Sequence, residues 1–443
     1  MTIIIDGTVG ANKGVVLDSN GKLPAIDGSQ VTALSATQIT TGTVATARLD
    51  TGTTAGKVLV LDGSGNMPAV DASLMTGVAS ATKSASNPTI STNPATGLGT
   101  KWINTTTGDV YILTDATAGA NVWTNSGAGS GDITPSLQSQ GSTYGWVSGG
   151  YQGSPGSPAE IQNVNQYFPF ASETNSTDAS NLTTGRPFLA GASSTTYGYC
   201  SGGSPSSLNI IDKFQFGTTN NSTDVGDLAT GRSALGGVES TTHGYTFGGI
   251  TSAGSGSNST LIEKFAFASD GNSADTTADL TQGIAYTDGS ASATYGYRHG
   301  GQIWPNAYQN VIDKWPFASS ANATDVGDLT IARLVYASTC NSNTHGYTMG
   351  GYTWSDPTNY GVTIDKFPFA TDSNATDVGD LSPAQHGACG VSGVDYGYAC
   401  GGRDLPETTY YNNIRRISFS SDGNSTDSAD LVNYPYSTTG NQV

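Results

Sequence analysis

The sequence predicts an all-β protein whose C-terminal part is a six-bladed β-propeller, and three observations support this prediction. A phrase of an aromatic residue, two variable residues and Gly-Gly occurs six times, with second glycines at positions 150, 203, 249, 301, 351 and 402. The steps between these glycines are 53, 46, 52, 50 and 51 residues, a spacing typical of propeller blades. Only 12% of residues are charged and 59 are glycine, a composition that favours strands and turns over helices.

Each unit divides into four strands. In one unit, residues 334–340 form an alternating run rich in small side chains and predict the first strand (a). Residues 345–349, just before the glycine pair, predict the second strand (b). Residues 312–317 alternate with period two and predict strand c, while residues 324–329 predict the short strand d. Asp-Ser-Asn or Asp-Gly-Asn precedes strand d in several units, which predicts a tight c–d turn.

These units resemble kelch-type repeats, which share the Tyr-x-x-Gly-Gly phrase, an aromatic third strand and an Arg before the next first strand. Arg186, Arg232 and Arg333 fit that Arg, whereas Gly283 and Gln385 replace it in two units. The Trp expected on the fourth strand is absent, and Asp-Leu stands in its place. The resemblance covers residues 132–443 and implies a propeller, but it implies nothing about chemistry.

The N-terminal region, residues 1–79, contains a different repeat. Residues 16–27 return as residues 60–71, each copy being two short strands around a turn. Apolar residues are too sparse for one chain to form a core, so the segment is either disordered or ordered by association with copies of itself. It resembles the stalk repeats of bacteriophage fibre proteins, which implies a homotrimer attached to other virion proteins at its N-terminus. Residues 80–96 are predicted to be a linker.

Residues 97–131 predict a small β module with a joint at its end, similar to a module of marine phage fibre and tail proteins. Strands are expected at residues 101–104, 110–113 and 122–123. The aromatic residues Trp102, Tyr111 and Trp123 have two interpretations. They stack on a sugar, or they form the core of a module that has few other apolar residues, and the second is the stronger expectation.

Composition excludes several functions. The net charge is −18, and the 17 Lys and Arg residues are scattered, so nucleic-acid binding is not expected. No apolar run approaches a membrane span and the first residues lack a signal-peptide pattern, so we expect synthesis in the host cytoplasm and no membrane insertion.

Cys389 and Cys400 are predicted to lie nearly opposite each other, and this placement is more consistent with two buried thiols than with a disulfide.

The variable lengths of the repeat point to a binding surface. From each glycine pair to strand c the steps are 15, 8, 13, 11, 13 and 12 residues, whereas the other intervals are nearly constant. Variable b–c loops on a constant scaffold are typical of recognition sites. Aromatic rings there would stack on a sugar while polar groups bond its hydroxyls; the alternative is that the rings only pack the loops. The candidate ligand-binding residues are Trp304, Asn306, Tyr308, Trp354, Asp356, Tyr360, Arg403, Asp404, Tyr410 and Tyr411.

Catalytic motifs, cofactor motifs and metal-ligand motifs are absent from the sequence. Carboxylate pairs such as Asp325 with Asp328 recur from unit to unit, which favours a structural role over a catalytic one. Asp-x-Asn phrases resemble half of a calcium loop without its closing glutamate and are expected to be turns. The four histidines do not form a ligand set.

We therefore expect an all-β chain with an N-terminal fibrous trimeric stalk, a small β module and a C-terminal six-bladed kelch-like β-propeller. The expected function is a phage virion fibre, of tail or capsid, that binds a host-surface glycan or protein through the b–c loops without catalysis. Two alternatives remain: a glycan depolymerase using Asp356 or Asp404, and a structural virion decoration protein.

Overall fold

The computed structural model describes residue 19 and residues 81–126, 140–154, 157–251, 257–335, 338–353, 361–404 and 408–443. Within these ranges every regular element is a β-strand, which confirms the all-β prediction. The chain divides into two compact units, Met1–Ile133 and Thr134–Val443. The predicted stalk lies outside the described residues apart from residue 19.

The first unit contains one four-stranded sheet. Its strands are β1 (Thr82–Ser84), β2 (Lys101–Asn104), β3 (Val110–Asp115) and β4 (Val122–Asn125). β1 pairs with β2 in parallel, and the other pairs are antiparallel. Tyr111, Leu113 and Trp123 are fully buried, and the partly buried Trp102 meets Trp123 edge-on at 5.9 Å. The aromatic residues therefore form the core of this module, as the stronger sequence expectation held.

The second unit contains 29 strands among its described residues. They are β5 (Tyr144–Ser148), β6 (Tyr151–Ser154), β7 (Ser157–Ile161), β8 (Val164–Pro169), β9 (Thr177–Asn181), β10 (Ala190–Ser193), β11 (Tyr197–Ser201), β12 (Ile210–Gln215), β13 (Thr223–Asp227), β14 (Arg232–Ser233), β15 (Gly236–Glu239), β16 (His243–Phe247), β17 (Ile250–Thr251), β18 (Ser259–Ala266), β19 (Ala274–Ile284), β20 (Asp288–Ala291), β21 (Tyr295–Ile303), β22 (Ala307–Pro316), β23 (Thr324–Asp328), β24 (Thr339–Asn341), β25 (His345–Met349), β26 (Thr363–Pro368), β27 (Thr376–Asp380), β28 (Cys389–Ser392), β29 (Tyr396–Cys400), β30 (Asn413–Ser418), β31 (Thr426–Asp430), β32 (Pro435–Tyr436) and β33 (Thr439–Gln442).

Six four-stranded antiparallel sheets account for most of these strands. In the order a-b-c-d they are sheet 1 (β33-β5-β8-β9), sheet 2 (β10-β11-β12-β13), sheet 3 (β15-β16-β18-β19), sheet 4 (β20-β21-β22-β23), sheet 5 (β24-β25-β26-β27) and sheet 6 (β28-β29-β30-β31). Sheet 1 takes its strand a from the C-terminus, where Thr439 pairs with Ser148 and Gln442 with Gly145. The sequence left open whether residues 434–443 add a strand to the first unit, and in the structure they do.

The a strands contact one another in a cyclic order. β33 contacts β10, and the contacts continue through β15, β20, β24 and β28 back to β33. Every a strand contributes at least one residue to the lining of a common cavity, among them Gly191, Gly237, Gly289, Thr339, Gly390 and Gly440. Glycine is required where the strands approach closely, because a Cβ on Gly390 would lie 1.7 Å from the carbonyl oxygen of Thr339.

Consecutive sheets are also joined by a repeated clamp at the c–d turn. An Asn side chain of each turn accepts a hydrogen bond of 3.0 or 3.1 Å from the backbone N–H of a strand-d residue of the preceding sheet, the residue just before the Leu of the Asp-Leu or Asn-Leu phrase. The residue directly after each Asn donates its backbone N–H to the carbonyl of that same strand-d residue. The Asn residues are Asn175, Asn221, Asn272, Asn322, Asn374 and Asn424. Asn175 of sheet 1 bonds to Asp430 of sheet 6, so the recurring Asn and Asp-Leu phrases join the sheets.

The glycine pairs are needed for their backbone conformation. All twelve glycines have φ between +50° and +113°, where other residues are strained. The second glycine of each pair donates its N–H to a carbonyl in the connection to the next sheet: that of Arg186, Arg232, Ile284, Arg333, Gln385 or Pro435. The position of the repeat Arg in sheet 4 is therefore held by Ile284, and the prediction of Gly283 was wrong by one residue.

Buried ion pairs explain the repeat Arg. Arg186 pairs with Asp212 at 2.8 Å, Arg232 with Glu263 at 3.3 Å and Arg333 with Asp365 at 2.9 Å. In sheet 4, where Ile284 takes the Arg position, Arg298 of strand b pairs instead with Asp313 at 2.7 Å. All eight side chains are buried, so each charge depends on its partner.

Cysteine placement agrees with the predicted hairpin. Cys389 and Cys400 stand opposite each other on β28 and β29. Both are buried free thiols, as are Cys200 and Cys340.

Candidate functional site

The b–c loops and the connections between sheets meet at one end of the sheets. Strand pairs join them directly, β14 with β17 and β32 with β6. Backbone bridges do the same between Ala285 and Gln302, Leu334 and Tyr352, and His386 and Arg403. We call this surface the loop face; among the described residues it is formed by residues 151–154, 157–163, 204–209, 250–251, 257–258, 302–308, 352–353, 361–362, 403–404 and 408–412 with the adjoining connections.

The predicted residues of sheet 4 lie at a hairpin tip of the loop face. Ile303 pairs with Ala307, which leaves Trp304 and Asn306 exposed at the tip, and Trp304 is 46% exposed. Tyr308 is half-buried and meets Tyr352 edge-on at 6.0 Å. The predicted residues Trp354, Asp356 and Tyr360 of sheet 5 lie outside the described residues.

In sheet 6 the predicted residues Arg403 and Tyr410 meet at a third side chain. The guanidinium of Arg403 lies 4.4 Å from the centre of the Tyr436 ring. Tyr410 packs against the same ring at a centroid distance of 5.4 Å. Cation–π and ring contacts of this kind fix the orientation of an Arg side chain. Tyr436 thus organises the sheet 6 part of the loop face.

Asp404 is held by its own loop. Its carboxylate accepts hydrogen bonds from the backbone N–H groups of Thr408 and Thr409 and from the Thr408 hydroxyl. Desolvation opposes ionisation, but the hydrogen bonds outweigh it and hold the pKa of Asp404 below its usual range. For Tyr411 nearby, desolvation and then the charge of Asp404 raise the pKa. A lowered pKa is unfavourable for a general acid, which must hold a proton near neutral pH.

Aromatic contacts extend the site across the loop face in a row that we call the aromatic arc. From Tyr308 and Tyr352 the row passes to His386, whose backbone pairs with Arg403, and then to Tyr436. Tyr436 stacks on Tyr151 at 5.2 Å, and Phe188 links Tyr151 to Tyr286 with centroid distances of 5.9 and 5.8 Å. The members are Tyr308, Tyr352, His386, Arg403, Tyr436, Tyr151, Phe188 and Tyr286.

Sequence reasoning missed most of the aromatic arc because several members lie in the connections between sheets, which have nearly constant lengths. A signal was nevertheless present. Phe188 and Tyr286 each stand six residues after the Leu of an Asp-Leu or Asn-Leu phrase, at Leu182 and Leu280. Equivalent positions in a repeat occupy equivalent places in its units, so this spacing indicated a shared location.

A second group of titratable residues lies in the cavity between the a strands. Glu239 accepts hydrogen bonds from the backbone N–H of Ser193 and the side-chain amide of Gln442, at 3.3 and 3.2 Å. Asp288 accepts them from the Thr339 hydroxyl and the Gly237 N–H, at 2.6 and 3.3 Å. Burial raises the pKa of Glu239 to about 8 and that of Asp288 to about 6. Both carboxyl groups therefore accept hydrogen bonds from neighbouring a strands.

These carboxyls predict a pH dependence of stability. Because the folded pKa of Glu239 lies above its ordinary 4.5, the folded protein holds a proton that the unfolded chain releases. The free energy of unfolding should therefore fall as pH rises from about 4.5 to about 8. Glu239→Gln should remove that part of the fall and be about 2–4 kcal/mol more stable than wild type at pH 8.

Urea unfolding at pH 5 and pH 8 measures this effect. Asp270→Asn, at a half-exposed surface position, is the control and should leave the pH dependence unchanged. Equal pH dependence in Glu239→Gln and wild type would contradict the proposed protonation of Glu239.

Histidines and metals contribute nothing further to the site. His299 bonds to Ser290 and Thr348, and burial lowers its pKa to about 3. Across the ranges that the structure describes, no three His, Cys, Asp or Glu side chains are grouped to hold a metal ion. Nor do those ranges contain a helix of the length and apolarity needed to span a membrane.

No protein-family model and no curated protein matches the chain.

Proposed function

We propose that the chain is a bacteriophage virion fibre whose six C-terminal sheets form a closed kelch-like β-propeller that binds a host-surface glycan through the loop face. The cyclic a-strand contacts, the C-terminal strand in sheet 1 and the bond from Asn175 to Asp430 support closure of the propeller. The stalk-like repeats of residues 1–79 support trimerisation and attachment to other virion proteins. Three copies would raise the avidity of a weak single site.

One observation carries the binding proposal: the variable lengths, the exposed Trp304 and the aromatic arc all lie on the loop face. Aromatic rings beside Asn, Asp and Arg suit a carbohydrate, because the rings stack on C–H faces while the polar groups bond hydroxyls. Asp404 is unsuited to the role of general acid, since its hydrogen bonds lower its pKa. The protein is thus an adhesin in this proposal, made in the host cytoplasm and assembled into the virion.

Binding of the full chain to an array of bacterial surface glycans tests this function. Trp304→Ala should weaken binding to a recognised glycan by about tenfold, the effect of losing about 1.4 kcal/mol at an interface hot spot. Tyr295→Ala is the matched control, because Tyr295 is also an exposed aromatic on β21 but begins that strand, at the end opposite the loop face.

The outcomes separate the three functions. An adhesin binds glycan and releases no oligosaccharide, and only the Trp304 variant loses affinity. Release of oligosaccharide from the bound glycan would make the chain a depolymerase. A full chain that binds no bacterial glycan or cell surface would be a structural virion protein.

A further inference from the structure

The connections between sheets share an unusual backbone conformation at one equivalent position. Phe188, Ala234, Tyr286 and Ser437 have φ of 59°, 53°, 50° and 53°, and Gly387 has φ of 69°. Left-handed backbone at residues other than glycine costs free energy and tends to persist at functional sites. With Val335, the equivalent residue of the remaining connection, we call these six residues the connection ring.

Hydrogen bonds link the members of the connection ring to one another. The N–H of Phe188 donates to the carbonyl of Ser437 at 2.9 Å, that of Ala234 to Phe188 at 3.0 Å and that of Tyr286 to Ala234 at 2.8 Å. Val335 donates to Tyr286 at 3.0 Å, and Ser437 donates to Gly387 at 2.7 Å. These bonds hold the side chains of consecutive connections in fixed positions on the loop face.

A small pocket opens within the connection ring. Four ring members line it, Phe188, Ala234, Tyr286 and Ser437, together with the residue that follows each of them: Leu189, Leu235, Thr287 and Thr438. Its free space holds roughly one water-sized group, which is also the size of a methyl group. Carbon atoms dominate the lining, because Leu189, Leu235, Ala234 and Phe188 contribute no polar side-chain atom.

One residue of the pocket lining, Thr438, carries an unsatisfied hydroxyl. Thr438 is 1% exposed, and its Oγ1 has no hydrogen-bond partner in the structure. A buried hydroxyl without a partner costs roughly 1–3 kcal/mol, so its presence beside a cavity points to a ligand that bonds to it. By contrast, the Thr287 hydroxyl in the same lining donates to the carbonyl of His299 at 2.8 Å.

We propose that this pocket accepts the methyl group of a methyl-bearing sugar, an acetamido sugar or a 6-deoxyhexose. This inference rests on the proposed glycan-binding function and names the sugar class for it. The methyl group enters between Leu189 and Leu235, while the sugar ring lies against Phe188 and Tyr286 of the aromatic arc. The Thr438 hydroxyl bonds to the amide or hydroxyl group beside the methyl.

Ligand-observed NMR saturation transfer with the full chain tests the proposed class. The probes are N-acetylglucosamine and L-rhamnose, with glucose as the control that lacks a methyl group. At least one methyl-bearing sugar should show saturation strongest at its methyl protons, and glucose should show little. The two probes distinguish the acetamido from the 6-deoxy class. Equal saturation of all three sugars would overturn the proposal.

Two variants locate the binding in this pocket. Thr438→Val keeps the shape of the side chain and removes a hydroxyl that has no protein partner. Its melting temperature should match or exceed that of wild type, while affinity for the methyl-bearing sugar falls roughly three- to tenfold. Ala234→Leu fills the pocket and should abolish binding; Phe188, at the equivalent position with φ of 59°, shows that this backbone accepts a large side chain.

Failure of this inference and failure of the proposed function give different results. If the full chain binds a glycan on the array but Thr438→Val and Ala234→Leu bind it as wild type does, the pocket is not the site and the adhesin function stands. If the full chain binds no glycan and no methyl-bearing sugar, both proposals fail.

Discussion

Deletion of residues 439–443 is expected to abolish cooperative folding of the second unit. These residues form β33, the strand a of sheet 1, which pairs with β5 from Thr439 to Gln442. The side-chain amide of Asn441 also donates to the carbonyl of Ala192 at 2.8 Å in sheet 2. Without the strand, β5 presents an unpaired edge, and the contacts from sheet 1 to sheets 2 and 6 through β33 are lost.

Thermal unfolding followed by circular dichroism measures this effect. The truncated chain should lose its sharp transition or show it more than about 4 °C lower, because a loss above 2–3 kcal/mol shifts the melting temperature of a domain larger than 250 residues by about that amount. A synthetic peptide of residues 434–443 should restore the transition by adding the missing strand. Truncated and full-length chains that melt at the same temperature would show that β33 does not close the arrangement.

Arg186→Ala is expected to destabilise the second unit by about 3–5 kcal/mol, because it leaves Asp212 charged and buried. The guanidinium donates to Asp212 at 2.8 Å, to the carbonyl of Gly202 at 2.8 Å and to that of Cys200 at 2.9 Å. It also donates to the carbonyl of Thr184 at 3.0 Å, so its loss removes an ion pair and leaves three carbonyls without this donor. Denaturant unfolding at pH 7 measures the change.

The matched control is Lys213→Ala, at the residue next to Asp212 on β12. Lys213 also pairs with an aspartate, at 2.6 Å from Asp270, but the lysine is 18% and the aspartate 53% exposed. An exposed pair contributes about 0–1 kcal/mol, so this variant should remain close to wild type. A loss for Arg186→Ala no larger than that for Lys213→Ala would contradict the account of the buried pairs.

Local features of the fold could be predicted from the sequence because they depend on neighbouring residues. The predicted strand b at residues 345–349 coincides with β25, His345–Met349. Period-two alternation and the glycine pair are local signals, and the predicted strands c and d at residues 312–317 and 324–329 also overlap β22 and β23. The predicted strand a at residues 334–340, by contrast, shares only residues 339 and 340 with β24, Thr339–Asn341. The domain boundaries and the trimeric stalk stay predictions.

Long-range features could not be predicted because the partners lie far apart in the sequence. The clamp between Asn175 and Asp430 joins residues more than 250 positions apart. In sheet 4, Arg298 takes the role of the repeat Arg. Its side chain reaches Asp313 from strand b and not from the connection between sheets. Likewise, the aromatic arc and the connection ring form only when connections from several sheets meet.

The candidate site was predicted in part for the same reason. Loop lengths and composition indicated Trp304 and Arg403, and both lie on the loop face. The buried partner of Arg403, Tyr436, lies in a connection of constant length and gave no such signal. The sequence could not show that a loop of variable length and a connection of constant length are in contact.

Hydrogen–deuterium exchange of the full chain with and without a glycan that it recognises tests whether the loop face binds ligand. We expect slower exchange on ligand binding in peptides covering residues 151–161, 302–308 and 403–412 and in the connections next to them. Exchange should stay unchanged in the c–d turns, such as residues 171–175 and 318–323, and in residues 101–125. Protection confined to the c–d turns or to residues 101–125 would contradict the account.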